Sequence, residues 1–169
     1  MSPFAIVHPP FAHFQGGRLA QGRKRQVSQV VILYPVFVQV LLTVLVYCLL
    51  LAARARAIKA TGAQRGGGDI AMGRFAWPED AEKRAHNQRN QFELPVLFYA
   101  VTAFALILGA VDLTMVALAW SFVASRILHA AIHVGPNPVR WRGPVFILGF
   151  LIVTAMWVKL FLHVVMSST

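Results

Sequence analysis

The chain of 169 residues is too apolar for a water-soluble domain, because 57% of its residues are hydrophobic and only 13% are charged, against about 25% in typical soluble domains. Most of its basic residues flank apolar segments, where anionic lipid headgroups would neutralise the net charge of +10, and this placement argues against a nucleic-acid partner. One membrane domain is expected, and the single cysteine, Cys48, excludes an internal disulfide.

The apolar segments predict an all-α membrane protein built as a four-transmembrane-helix bundle. Residues 1–29 are rich in Pro, Gly, His and basic side chains, which is typical of a mobile N-terminal tail. Residues 30–166 form the membrane domain. Its spans are predicted at about 30–53, 84–110, 113–134 and 144–165. On the first span, Gln39, Thr43 and Tyr47 form a polar stripe that predicts hydrogen bonds between helices.

The approach to the second span carries the most informative charged residues. Its helix is predicted to begin near Pro78 and to continue without a break into the membrane, with a kink at Pro95. Spacing of i, i+3, i+4 and i+7 places on one helical face the residues His86, Arg89, Asn90 and Glu93. Glu93 directly precedes an apolar run, so its charge is costly unless it is paired or wetted. This face is therefore a candidate functional site.

A second polar face lies on the third span. Arg126, His129 and His133 are spaced i, i+3 and i+7, and Arg126 lies about 12 Å inside the C-terminal end of the helix. This depth brings Arg126 to the level of Glu93, and leaves open a structural ion pair or a shared ligand contact. Two histidines four residues apart can bind a metal ion, but no Cys or carboxylate accompanies them on this helix, so no metal site is predicted.

Gly143 and Pro144 are predicted to begin the fourth span, as its cap and its first residue. Arg142 would then lie beside the free N–H groups of a helix N-terminus. A cation and a helix N-terminus together lower the pKa of a nearby thiol, so Arg142 is a candidate for stabilising a thiolate. Lys159, near the other end of this span, is expected to extend toward the lipid headgroups.

The distribution of basic residues predicts the orientation in the membrane. Ten of them lie in or beside the first and third loops, and five lie on the other side. This favours a cytoplasmic location for loops one and three, in a bacterial inner membrane. Polar residues of all four spans then converge near that face and outline an anion-binding pocket.

The segments RAHNQRNQFELP, SRILHAAIH and RWRGP, in this order, resemble the MAPEG family, the membrane-associated proteins in eicosanoid and glutathione metabolism, in a bacterial-type member. The resemblance covers roughly residues 30–165. It includes an RNxxE motif, here Arg89, Asn90 and Glu93, and an Arg-x-x-His motif, here Arg126 and His129. It implies a homotrimer of four-helix bundles that binds glutathione, as a co-substrate, between neighbouring subunits.

The resemblance also implies the roles of particular residues. Arg142 would be catalytic and would stabilise the glutathione thiolate. The residues that would bind glutathione are Arg54, His86, Arg89, Asn90, Glu93, Arg126, His129 and His133. Three positions depart from the family: His86 replaces an arginine, His133 replaces a tyrosine, and Gly143 replaces the serine of one eicosanoid-isomerase branch. These departures argue against that isomerase activity, while histidine can still donate hydrogen bonds to an anion.

The expected function is therefore that of a glutathione-dependent membrane transferase or peroxidase acting on a lipophilic electrophile. The alternative is a non-enzymatic membrane subunit, or a lipid-binding scaffold of a larger complex, that retains the same fold. The expected partners are membrane lipids, a lipophilic small molecule, further copies of the chain in a homotrimer and, under the alternative, a larger membrane complex.

Overall fold

The computed structural model of the chain describes residues 29–62, 67–134 and 139–168, and all regular secondary structure in these ranges is helical. In chain order the helices are α1 (Leu33–Thr61), α2 (Gly68–Ala71), α3 (Glu79–Asn90), α4 (Leu94–Ile107), α5 (Leu113–Val134) and α6 (Val139–Ser167). The predicted N-terminal tail lies, apart from residue 29, outside the described residues.

Four segments of the described chain are long and apolar enough to cross a membrane. They are Leu33–Thr61, Glu79–Ile107, Leu113–His133 and Arg140–Ser167. Large apolar side chains are exposed on the outside of all four, which lipid tolerates because its tails are as apolar as the side chains themselves. The prediction of an all-α, four-helix membrane bundle is confirmed, and the chain is an integral, multi-pass membrane protein.

Buried apolar side chains of α4, α5 and α6 form most of the hydrophobic core of the described chain. The ring of Phe98 on α4 stacks on that of Phe122 on α5, with centroids 4.6 Å apart, and both rings are fully buried. On α6, the indole N–H of Trp157 donates to the carbonyl oxygen of Leu97 at 3.2 Å. The interface between α5 and α6 is the most extensive in the bundle, while α1 packs on α3 and α5. The positions of α5 and α6 relative to each other therefore decide the geometry of any site between them.

The second membrane segment is not one continuous helix, so the prediction of an unbroken helix was wrong. Helix α3 ends at Asn90, residues 91–93 form a turn, and α4 starts at Leu94. Pro95 explains the position of the break, because it cannot donate to the carbonyl of Gln91 and its ring clashes with that carbonyl in a regular helix. At the start of α4 the missing N–H has no cost.

A buried amide pair spans this break. Gln39 of α1 donates through Nε2 to Oε1 of Gln91 at 3.0 Å, and both side chains are almost fully buried. This confirms the prediction of a hydrogen bond between helices for Gln39. Thr43 donates to the Gln39 carbonyl oxygen within its own helix, at 3.0 Å, and its hydroxyl also forms a hydrogen bond with Tyr99 of α4. Tyr47 is exposed.

Helix α6 starts at Val139, about one turn before the predicted position, so Gly143 is not its cap and Pro144 lies inside it. The helix tolerates Pro144 because this residue removes only the hydrogen bond to the Arg140 carbonyl, and the N–H groups of the first turn have no earlier partners to lose. Arg142 still belongs to the first turn, where backbone N–H groups lack intrahelical acceptors.

At the opposite end of the bundle, Lys159 of α6 pairs with Asp112 in the turn before α5, at 2.7 Å, rather than extending alone to the headgroups. Asp112 also accepts the backbone N–H of Met115 at 2.8 Å and so caps α5. Partial burial acts to raise the pKa of Asp112, but these hydrogen bonds and the charge of Lys159 outweigh it, so the pKa lies below its usual value.

Candidate functional site

Asn90, at the end of α3, joins the two histidines of α5. Its amide nitrogen lies 3.2 Å from Nε2 of His129 and 3.3 Å from Nε2 of His133. The two imidazole rings are edge to face with centroids 5.2 Å apart, and both histidines are buried. Asn90, His129 and His133 are called the histidine cluster below. The sequence located these residues on two separate helical faces, and the structure brings the two faces together.

The chemistry of the amide determines which nitrogen of each ring carries the proton. An amide nitrogen only donates, and it has two N–H groups, so in this orientation each Nε2 accepts one of them. A neutral imidazole that accepts at Nε2 carries its proton on Nδ1. Within the described chain, Nδ1 of His129 and Nδ1 of His133 are buried without a hydrogen-bond partner. The Nδ1–H of His133 therefore lacks an acceptor, while the ring of His129 interacts with the backbone of Arg142.

Arg126 lies one turn before His129 on α5 and is only 2% exposed. Its Nη2 atom donates to the carbonyl oxygens of Val145, at 3.1 Å, and Phe146, at 3.4 Å, both on α6. Its Nε atom donates to the hydroxyl of Ser125 at 3.4 Å. Nη1 has no partner among the described residues. This buried guanidinium is therefore bonded to carbonyl dipoles, and its remaining donor is unsatisfied.

Of the two alternatives left open for Glu93 and Arg126, the ion pair is not formed among the described residues. Glu93 is exposed and forms no hydrogen bond or ion pair with any residue that the structure describes. The break at residues 91–93 is the cause, since the i+3 spacing from Asn90 no longer corresponds to one helical face. Arg89 and His86 are also exposed on α3, although the charge of His86 acts on His133.

Arg142 lies near the histidine cluster. It is half-buried, and its positive charge acts on both His129 and His133. Arg54 behaves differently: its guanidinium stacks over Trp77, 4.9 Å from the ring centroid, and its Nε is buried without a partner among the described residues. No described contact joins Arg54 to the histidine cluster. Of the predicted glutathione-binding residues, the structure therefore brings together those on α5 and Asn90, with Arg142 nearby, and leaves Arg54 apart.

Sequence reasoning missed Gly149 of α6, which lies against Arg126. A Cβ atom at this position would be 2.7 Å from the guanidinium carbon of Arg126 and 2.8 Å from Oγ of Ser125. The available signal was a glycine in the middle of a membrane helix, which usually marks a close approach. Asn87 and Gln91, buried polar residues spaced i, i+4, were also missed.

The assembled groups suit an anion rather than a cation. Arg126, His129, His133 and Arg142 contribute positive charges or N–H donors, and such groups bind carboxylates and thiolates. In the described ranges, no three His, Cys, Asp or Glu side chains are arranged to hold a metal ion. Two surface grooves, of about 640 and 430 Å³, lie elsewhere, along α6 near Lys159 and along α1 near Arg56.

Comparison with known proteins gives one match: the family model described as MAPEG family matches residues 32–162. The match extends into all four membrane-capable segments and includes both the histidine cluster and Arg142. Neither the curated proteins nor the solved structures include a significant match.

Proposed function

Because the chain belongs to the MAPEG family, we propose that it is a glutathione-dependent membrane transferase or peroxidase that acts on a lipophilic electrophile. The observation that carries the proposal is the histidine cluster, whose buried N–H donors lie close to Arg142. Glutathione-related transferase and peroxidase activities occur in this family, and they require a site that binds a peptide-like anion and activates its thiol.

The distribution of charges supports binding of glutathione, which has two carboxylates, an amine and a thiol. The Nδ1 donors of His129 and His133 would bind one anionic group in a dry environment, where charge-assisted hydrogen bonds are strongest. Arg89 and Arg54 would bind carboxylates nearer the membrane surface. Glu93 would accept the amine, a role that its exposed position permits.

Arg142 would stabilise the thiolate. A free thiol has a pKa of about 8.5 and is mostly protonated at neutral pH, while a cation and a helix N-terminus favour its ionised form. Arg142 supplies the cation in the first turn of α6, among backbone N–H groups without intrahelical acceptors. The thiol proton passes to water. The thiolate sulfur would then form a bond to the electrophilic atom of the co-substrate, while the bond from that atom to its leaving group breaks. The leaving group departs with the electron pair and takes a proton from water.

The exposed charges at the end of α3 and in the turn after it support contact with a neighbouring subunit, which in this family would be part of a homotrimer. Arg89 and Glu93 lie on the outside of the single chain, beside the start of an apolar helix, where lipid contact would be costly. A neighbouring subunit that covers this surface would place glutathione between subunits, and a lipophilic co-substrate would then enter from the bilayer. We place loops one and three, and therefore the site, on the cytoplasmic side of a bacterial inner membrane.

The test is glutathione binding to the purified protein in lipid nanodiscs, with the ultraviolet absorbance of the bound thiolate as a second readout. Arg142→Ala should lower the thiolate fraction about 10- to 100-fold, because a hydrogen bond to a charged group contributes about 1.5–3 kcal/mol. Arg140→Ala is the matched control, since Arg140 is exposed and lies over the ring of Trp141.

Two results would reject the proposal: a wild-type protein that binds no glutathione, or a thiolate signal that Arg140→Ala removes as fully as Arg142→Ala. A partner protein that copurifies in fixed ratio, without glutathione binding, would instead favour the non-enzymatic subunit. Saturable binding of anionic lipid alone would favour the lipid-binding scaffold.

A further inference from the structure

Gly149 leaves a gap on α6 that the guanidinium of Arg126 occupies. Any side chain at this position would collide with the guanidinium and with the Ser125 hydroxyl, because an added Cβ would approach both within 2.8 Å. Arg126 is among the largest fully buried side chains in the described chain. The two residues on facing helices are therefore complementary in shape, and neither can be enlarged without displacing the other.

The gap also explains why Arg126 can bond to the backbone of another helix. In an α-helix a side chain covers the turn that precedes its own Cα. A side chain at position 149 would therefore cover the carbonyls of Val145 and Phe146, the two acceptors of Arg126 Nη2, at 3.1 and 3.4 Å. Glycine leaves these oxygens accessible, and each can accept a second hydrogen bond in addition to its helical one.

This contact lies one turn from the reactive groups on both helices. On α6, Val145 and Phe146 follow Arg142 by three and four residues. On α5, His129 follows Arg126 by three residues, and its ring lies 5.8 Å from that of Phe146. A shift of α6 along α5 at this point would move Arg142 relative to the histidine cluster by a similar distance.

We propose that Arg126 is a positioning residue: through the Arg126–Gly149 contact it holds the first turns of α6 against α5 and keeps Arg142 beside the histidine cluster. The importance of this position for thiol chemistry rests on the proposed function. This role differs from the glutathione contact that the family resemblance implies for Arg126, because the donors of Nη2 are used by the protein backbone itself.

The experiment compares Gly149→Ala, Arg126→Gln, the double variant and Leu148→Ala in nanodiscs. Leu148 is the matched control, since it is adjacent on α6 and faces outward with 49% of its surface exposed. The first readout is the rate of backbone amide hydrogen exchange, measured without glutathione. It is compared between peptides covering residues 139–148 and peptides covering residues 156–166. The second readout is the thiolate fraction and the Kd of glutathione.

Gly149→Ala should raise the rate of backbone amide hydrogen exchange at least threefold in residues 139–148 and leave that of residues 156–166 unchanged. This increase would occur even though alanine favours a helix more than glycine does. Arg126→Gln should have the same effect, and the double variant should exchange no faster than Arg126→Gln, because the shorter side chain leaves room for the methyl group. With glutathione, each single variant should lower the thiolate fraction at least threefold and change Kd by less than threefold.

The proposal would be overturned if Gly149→Ala exchanged no faster than Leu148→Ala. It would also be overturned if the increases in exchange rate of the two single variants added up in the double variant. A loss of affinity as large as the loss of thiolate would also overturn it, since Arg126 would then be a ligand contact. If the wild type binds no glutathione but the exchange pattern holds, the proposed function fails and the positioning of Arg142 by Arg126 stands. If the wild type binds glutathione but the variants do not change hydrogen exchange as expected, only the positioning role is rejected.

Discussion

Replacing Asn90 with alanine tests whether one amide joins α3 to α5 and orients both histidines. Asn90→Ala removes the two contacts, at 3.2 and 3.3 Å, that Nε2 of His129 and His133 make with the amide nitrogen. Both rings are buried, so neither Nε2 regains water without local rearrangement. We expect the bundle to lose stability. We also expect each neutral imidazole to become a mixture of its two tautomers, with the proton on Nδ1 or on Nε2.

The magnitude follows from these two contacts. Hydrogen bonds between membrane helices contribute about 0.6 kcal/mol each on average, which gives about 1.2 kcal/mol for the pair. Leaving buried acceptors unpaired raises the upper limit to about 3 kcal/mol. Gln88→Ala is the control, because Gln88 lies on the same helix and its side chain makes no hydrogen bond among the residues that the structure describes.

The assays are equilibrium unfolding of the protein in mixed micelles and nitrogen-15 NMR of labelled histidine. The wild type should show His129 and His133 protonated at Nδ1 and unprotonated at Nε2, and Asn90→Ala should show a mixture of both forms. Free energies of unfolding of Asn90→Ala and Gln88→Ala within about 0.5 kcal/mol of each other, together with unchanged histidine spectra, would refute this role of Asn90.

Two further predictions concern other buried or paired groups. Because the pKa of Asp112 is lowered in the folded protein, its stabilising effect is complete above the unfolded pKa of about 3.9 and is lost as pH falls through the folded value. Asp112→Asn should therefore remove part of the decrease in Tm below about pH 4, and an unchanged acid profile would contradict this. Gln39→Leu and Gln91→Leu should each cost about 1–2 kcal/mol by leaving a buried amide unpaired. The double variant should cost about 1 kcal/mol less than their sum in a double-mutant cycle, whereas strict additivity would show that the amides are independent.

Predictions from residue spacing succeeded where the helix is regular. Arg126, His129 and His133 lie on an unbroken helix, α5, so their predicted common face is observed. The same reasoning failed for Glu93, because the effect of Pro95 on the preceding turn moved this carboxylate away from the face that carries Asn90.

The start of α6 shows a different limit. Gly143 and Pro144 are a common signal for the beginning of a helix, but the helix includes them and starts at Val139. A proline in the second turn costs only one backbone hydrogen bond, and helix packing can outweigh that cost. Local preference alone could not decide between the two starts.

The sequence by itself determined the four membrane helices and which of them carry basic and histidine side chains, because hydropathy and helical spacing are properties of each segment alone. Only the tertiary structure decided which groups meet. Asn90 contacts the histidines of another helix, and Arg126 bonds to backbone carbonyls rather than to the carboxylate of Glu93. Gly149 acquires its importance in the same way, since the space it leaves matters only where a second helix approaches closely. Such contacts depend on the relative positions of helices, and no pattern within one helix specifies them.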